Sequence, residues 1–171
     1  MKTILFAALL LAVLPTSPQE TPDAAVVRKG MSVKFAASPD VPDCATSAVL
    51  KGDPGKGPSV IEIKFAPGCI VPWHWHSINE SVVPLSGLLE ISMKDEKPAL
   101  LTNGDYNYLP AKHIHQDKCS GSKPCAAIVS LDGPFDIHYV DKSGAEIPAA
   151  QALAEAEKLM TKPGAKPAAK P

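Results

Sequence analysis

Two histidines and a glutamate stand close together in the stretch 68–87. His74 and His76 are two residues apart, so in an extended strand both imidazoles leave the same face and can meet one metal ion. Glu80 follows after a short polar bend that can bring its carboxylate back toward the same point. Two imidazole nitrogens and one carboxylate oxygen suit Fe, Mn, Ni, Cu or Zn. The spacing therefore predicts a site for one divalent transition metal ion.

A second stretch, 104–115, offers a fourth ligand because it contains His113 and His115. A single histidine in a strand is more often a hydrogen-bonded core or surface group than a ligand. Here, however, four of the five histidines of the chain fall in these two stretches, which favours metal binding. Imidazoles bind metal in their neutral form, so the affinity should weaken below their free pKa of about 6.5.

The first stretch is similar to the first sequence motif of the cupin superfamily. That motif is Gly, five residues, His, one residue, His, three residues, Glu, six residues and Gly. The chain matches it at every position, with Gly68, His74, His76, Glu80 and Gly87.

The second stretch resembles the second cupin motif, which is Gly, five residues, Pro, one residue, Gly, two residues, His, three residues and Asn. Gly104, Pro110 and His115 match, whereas Lys112 replaces the second Gly and Cys119 replaces the Asn. These departures leave the turn after Pro110 and the following strand open to a different geometry. The resemblance implies a small jelly-roll β-barrel whose metal ligands are His74, His76, Glu80 and His115.

Three further side chains are weaker candidates for chemistry. His113 occupies the turn, where an exposed position or a supporting role beside the ligands is expected. His138 alternates with large apolar residues, which is typical of an outward polar position on a half-buried strand. Glu90 and His138 are the only additional proton-transfer candidates, and both are expected to face solvent.

Short strand-like runs separated by Gly, Pro and Asn turns predict an all-β fold, a double-stranded β-helix (jelly-roll barrel) with a short C-terminal helix. In 60–65, Ile61, Ile63 and Phe65 are expected to form the inner face. Asn103-Gly104 has the composition of a hairpin turn. The predicted strands are 32–36, 48–51, 60–65, 71–76, 81–85, 88–93, 99–102, 106–109, 113–117, 126–131 and 135–140.

The two ends of the chain differ from this pattern. Residues 1–18 are predicted to be a signal peptide, since Lys2 precedes an apolar run too short for a permanent membrane span. Residues 19–31 are a predicted linker, 32–147 the barrel domain, and 148–171 a C-terminal helix, expected at 149–162, followed by a flexible tail. The mature protein is expected to be periplasmic or secreted, without a membrane span.

The charge composition of the chain argues against nucleic acid as a binding partner. With 17 basic and 18 acidic residues, the chain lacks the positive charge that nucleic-acid binding requires. Trp73 and Trp75 should leave the strand face opposite the histidines and pack between sheets or across the interface of a homodimer.

Four cysteines in an exported chain predict disulfides. Cys119 and Cys125 flank a short loop with Gly and Pro, so a bridge between them is expected. Cys44 and Cys69 are left open, either as a pair or as free thiols.

Two classes of function follow from the sequence. In the first, the metal keeps an open position and performs oxygenase-type chemistry on a small chelating substrate, as in the dioxygenases among proteins that this chain resembles. In the second, the barrel is a non-catalytic binding protein of the cell envelope for a metal or small molecule. Fold alone does not separate the two.

Overall fold

The structure, a computed structural model, describes residues 25–161. The predicted signal peptide, the first part of the linker and the tail from residue 162 lie outside this range. A 3₁₀ turn covers Gly30–Ser32, and the helix α1 covers Ala149–Met160. The strands are β1 (Ala45–Gly52), β2 (Ser59–Phe65), β3 (Ile70–Trp75), β4 (Glu80–Ser86), β5 (Leu88–Met93), β6 (Ala99–Leu101), β7 (Asn107–Leu109), β8 (His115–Ser120), β9 (Cys125–Leu131) and β10 (His138–Tyr139).

The strands form two five-stranded antiparallel sheets. One has the order β1-β2-β9-β4-β7 and the other the order β10-β3-β8-β5-β6. Buried apolar side chains from both sheets, such as Val82 and Val129 in the first and Val71 and Leu89 in the second, belong to one core cluster. This arrangement confirms the all-β jelly-roll prediction. Within residues 25–161, no helix is long and apolar enough to cross a membrane.

Two local predictions were wrong. The run 32–36 is not a strand, because only Ala36 is bridged, to Ser47. Asn103-Gly104 does form a turn, but β6 and β7 lie at edges of different sheets and do not pair. The turn therefore carries the chain from one sheet to the other. It is held there because the Gly104 N–H donates to the carbonyl of Pro84 in β4.

Helix α1 packs against β3 and β10. Ala152 and Ala156 are its buried residues. Ala149, in the first turn, is exposed. Small side chains on the buried face let the helix lie close to the sheet, where Trp73 of β3 contributes to the groove beneath it.

Both disulfides close near the same end of the barrel. The predicted bridge Cys119–Cys125 is present, and Cys44 bonds to Cys69, which settles the pairing left open. A Cβ on Gly87, the last position of the first motif, would lie 2.7 Å from Sγ of Cys125. Gly87 also has a φ of +79°. Glycine is therefore required there by both backbone conformation and space.

Lys112, where the second motif has glycine, adopts a φ of +65°. The turn thus keeps the left-handed conformation that glycine would favour, with a lysine in its place. The Lys112 N–H donates to the carbonyl of His76 at 2.7 Å, so the turn is tied to the first motif. Lysine at this position therefore keeps the shape of the turn, but it makes the backbone conformation less favourable than glycine would.

Removing either disulfide should destabilise the protein. The loss of stability should be greater for the bridge that closes the longer loop. In the loop-entropy model, replacing Cys44 and Cys69 together by Ala lowers the free energy of unfolding by about 3.5 kcal/mol, and replacing Cys119 and Cys125 together lowers it by about 2 kcal/mol. The bridges span 25 and 6 residues respectively. Urea denaturation of the two double variants checks this. A larger loss from the 119–125 pair would contradict the loop-entropy reasoning.

Lys112→Gly should stabilise the protein. Relief of left-handed strain outweighs the extra chain entropy of glycine in the unfolded state, so the free energy of unfolding should rise by about 0.5–1 kcal/mol. The matched control is Lys97→Gly, an exposed lysine without positive φ, which should lower it. Chemical denaturation of both variants provides the comparison, and a loss of stability in Lys112→Gly would refute the strain argument.

Candidate metal centre

Three histidines meet inside the barrel because of alternation and strand register. His74 and His76 project from β3 and its end toward the interior, and only 2% and 4% of their surface is exposed. In the β3–β8 pair, His74 lies opposite His115, which is 1% exposed. The ligand nitrogens of these three residues lie within 4.8 Å of one another, which makes the group able to hold a metal ion.

Main-chain carbonyls orient all three rings. Nδ1 of His74 bonds to the carbonyl of Pro72 at 2.7 Å, Nδ1 of His115 to the carbonyl of His113 at 2.9 Å, and Nδ1 of His76 to that of Asp136. A carbonyl only accepts, so Nδ1 carries the proton and Nε2 of each neutral ring presents its lone pair inward. Nε2 of His115 is buried and forms no hydrogen bond of normal geometry, and Oε2 of Glu80 lies 3.4 Å away from it. An inward imidazole nitrogen beside a carboxylate fits a metal ligand.

Glu80, at the start of β4, lies beside this group. Its Oε2 is 3.5 Å from Nε2 of His76 and 3.4 Å from Nε2 of His115. The structure thus brings together all four residues named from the sequence. Glu80 comes from the other sheet, so both sheets contribute to the centre.

Asp117 is a fifth residue at the centre and was missed by sequence reasoning. Its Oδ2 lies 3.9 Å from Nε2 of His74 and 4.0 Å from Nε2 of His115. It follows His115 by two residues on β8, so strand parity places both on the same face. That parity was available in the sequence, but the cupin pattern does not include the position.

Burial lowers the pKa of His74 well below its usual value, and the charges of His115 and His76 add to this effect. Burial also lowers the pKa of His76, although nearby Glu80 opposes the shift. Both rings are therefore neutral, and available as ligands, at neutral pH.

His115 behaves differently because two carboxylates face it. Burial alone would lower its pKa, but the contact with Glu80 and the charges of Asp117 and Glu80 raise it to about 9. Burial raises the pKa of Asp117 to about 7, and the charge of Glu80 adds to this while His115 opposes it. Burial would likewise raise the pKa of Glu80, but His115 and His76 hold it below its usual value. Without metal, protonated His115 thus supplies the positive charge of the centre.

A cavity of about 260 Å³ adjoins the centre. His74, His76, Glu80 and Asp117 form its polar end, and the two carboxylates expose 13% and 17% of their side chains there. The remaining wall is mostly aliphatic and aromatic and includes the predicted inner face of β2: Ile61, Ile63 and Phe65. Such a cavity suits a small molecule that reaches the ligand group with one polar end.

The weaker candidates lie outside this group. His113 pairs with Glu96 at 3.8 Å. Glu90 bonds to Ser120 and contacts Lys118. His138 is partly exposed and stacks on Trp75, with ring centroids 3.9 Å apart and an interplanar angle of 2°. One face of the Trp75 ring is thus covered within this chain, and the residue as a whole is half-buried.

Two facing sheets around an inward histidine group define a small jelly-roll protein able to hold a metal ion. Residues 61–131 match the family model of the cupin domain. The resemblance to cupins drawn from the two motifs is therefore confirmed over residues 61–131. No curated protein matches the chain at a significant level.

Solved structures with a similar fold include several cupin proteins. An RmlC-like cupin from Shewanella frigidimarina has 16% identity and a TM-score of 0.54, over 66% of this chain and 93% of that chain. The polyketide cyclase RemF from Streptomyces resistomycificus has 16% identity and a TM-score of 0.59, over 76% and 99%. The DMSP lyase DddQ from Ruegeria pomeroyi has 18% identity and a TM-score of 0.56, over 72% and 75%. At these identities the similarity establishes the fold.

The raised pKa of His115 changes the expected pH dependence of metal binding. At neutral pH, an incoming ion must displace the proton of His115 and part of a proton from Asp117, so metal affinity should rise between about pH 7 and 9 and level off above. This pH range lies above the range expected for a free imidazole, whose pKa is about 6.5. Calorimetric titration with Zn²⁺ in buffers of different ionisation enthalpy measures the number of protons released on binding. Asp117→Asn should remove only the smaller contribution to this number, the one that comes from Asp117. Constant affinity over this range, with no proton release, would contradict the assignment.

Proposed function

We propose that the protein is an exported, metal-dependent enzyme that acts on a small molecule held in the barrel cavity. His74, His76, Glu80 and His115 are its ligands to one divalent transition metal ion. The observation that carries the proposal is the convergence of three inward Nε2 atoms at the polar end of an otherwise apolar cavity.

The residues around the cavity support a catalytic role. The apolar wall removes water from a bound molecule, which strengthens electrostatic effects at its polar end. Asp117 places a second carboxylate at the same end, beside His74 and His115. A redox-active ion such as iron or manganese would supply oxygenase-type chemistry there, whereas zinc would polarise a donor group.

Two observations support export. Two disulfides are typical of proteins that mature in an oxidising compartment. The apolar run after Lys2 has the composition of a signal peptide, which would place the mature protein in the periplasm or outside the cell. Among the similar structures are a cyclase and a lyase, but at 16% and 18% identity they support the fold and not a substrate.

His76→Ala should reduce metal content and abolish turnover while the barrel still folds, because two disulfides and both sheets remain. The matched control is His113→Ala, which removes a histidine outside the group and should retain the metal. Elemental analysis gives the metal content, and circular dichroism reports the fold. Retention of metal in His76→Ala would contradict the ligand assignment.

Turnover is tested on protein loaded anaerobically with ferrous iron and then given small phenols, thiols and oxo acids. Oxygen electrode traces and mass spectrometry separate oxygen-dependent products from lyase or isomerase products. Consumption that needs oxygen and is lost in His76→Ala would support oxygenase chemistry. If a compound binds tightly but gives no product with any metal tested, the enzyme hypothesis is wrong and the protein is a non-catalytic binding protein of the cell envelope.

A further inference from the structure

The position of Asp117 bears on which molecules can reach the metal. This carboxylate lies beside two of the three histidines and lines the same cavity. A molecule that enters the cavity and donates to the ion therefore passes close to Asp117. The ligand set implied by the cupin motifs contains one carboxylate, Glu80, so Asp117 adds a second negative charge that those motifs do not account for.

We propose that Asp117 is a specificity-determining residue that disfavours negatively charged molecules, and that the cavity takes an uncharged, largely apolar molecule with a single donor atom. This inference rests on the proposed function, because it assumes an ion held by the histidines. It names the substrate class of that site.

The balance of charge supports the exclusion of anions. A divalent ion with neutral imidazoles and the carboxylates of Glu80 and Asp117 has no net charge left to attract an anion. Within residues 25–161, no lysine or arginine lines the cavity, so an incoming carboxylate would find no cationic side chain to pair with. Like charges at short range in a poorly hydrated site repel strongly.

Size and wall chemistry define the molecule further. A cavity of about 150 Å³ lined by apolar side chains holds benzene. The cavity here, about 260 Å³, accommodates a substituted ring or a short branched chain. Apart from the polar end, the hydroxyl side chains that residues 25–161 place on its wall are those of Ser38 and Ser47. One donor group facing the ion is therefore the arrangement that leaves few polar atoms unpaired.

The test compares benzoate with uncharged relatives, namely benzamide, phenol and benzyl alcohol, on the full mature chain loaded with Co²⁺. Visible absorption of cobalt reports donation to the ion, and calorimetry gives Kd, both at one mildly alkaline pH. In the wild-type protein at least one uncharged compound should bind roughly tenfold or more tighter than benzoate. In Asp117→Asn, this preference should shrink by a similar factor through improved binding of benzoate.

The matched control is Glu62→Gln, which removes a carboxylate that pairs with Lys64 and does not line the cavity. It should leave the preference unchanged. Wild-type protein that binds benzoate as well as the uncharged compounds, or binds none of the latter, would overturn the proposal. An unchanged preference in Asp117→Asn would also overturn it. Loss of cobalt from Asp117→Asn would do the same, because Asp117 would then be a ligand of the ion. Failure of the wild-type protein to take up cobalt would instead refute the proposed function itself.

Discussion

The pairing of β3 with β8 is the constraint on which the centre depends. His74 lies opposite His115 in this pair, and a shift of one residue would turn either histidine to the other face of the sheet. The far end of the same pair is fixed twice. The Gly68 N–H donates to the carbonyl of Cys119 at 2.8 Å, and the Cys119 N–H donates to that of Cys69 at 2.9 Å. Cys69 and Cys119 are also held by disulfides, to Cys44 and Cys125 respectively. The register shifts by one residue between Val71 and His74, and this irregularity places His74 opposite His115.

The buried charges beside the three histidines oppose one another. Two carboxylates beside buried imidazoles would be costly if no positive charge were present. His115, raised to a pKa of about 9 by those carboxylates, provides that charge in the metal-free protein. A divalent ion held by the proposed ligands would take over the role of that proton.

Sequence reasoning found the parts of the centre that depend on local spacing. His74 and His76 follow from strand parity, and Glu80 and His115 from the motif pattern. Asp117 has the same strand parity as His115. The second cupin motif does not include its position, so comparison with the motif did not identify it. Contacts between distant segments, such as the Cys44–Cys69 bridge, have no signal in the spacing of a single sequence. The Asn103-Gly104 turn was recognised by composition, but which strands it joins depends on tertiary pairing.

The segment before β10 links the orientation of His76 to the shape of the cavity. Phe135 and Ile137 line the cavity, and the alternate residues Asp136 and His138 face the other way. The carbonyl of Asp136 accepts from Nδ1 of His76, and its carboxylate accepts from the Ser77 N–H at 2.8 Å. Because the peptide that orients His76 lies between two cavity-lining side chains, a change in this segment that alters the cavity wall should also change the orientation of the His76 ring. The orientation of the His76 ring and the shape of the cavity are therefore coupled through one short backbone segment far in sequence from the first motif.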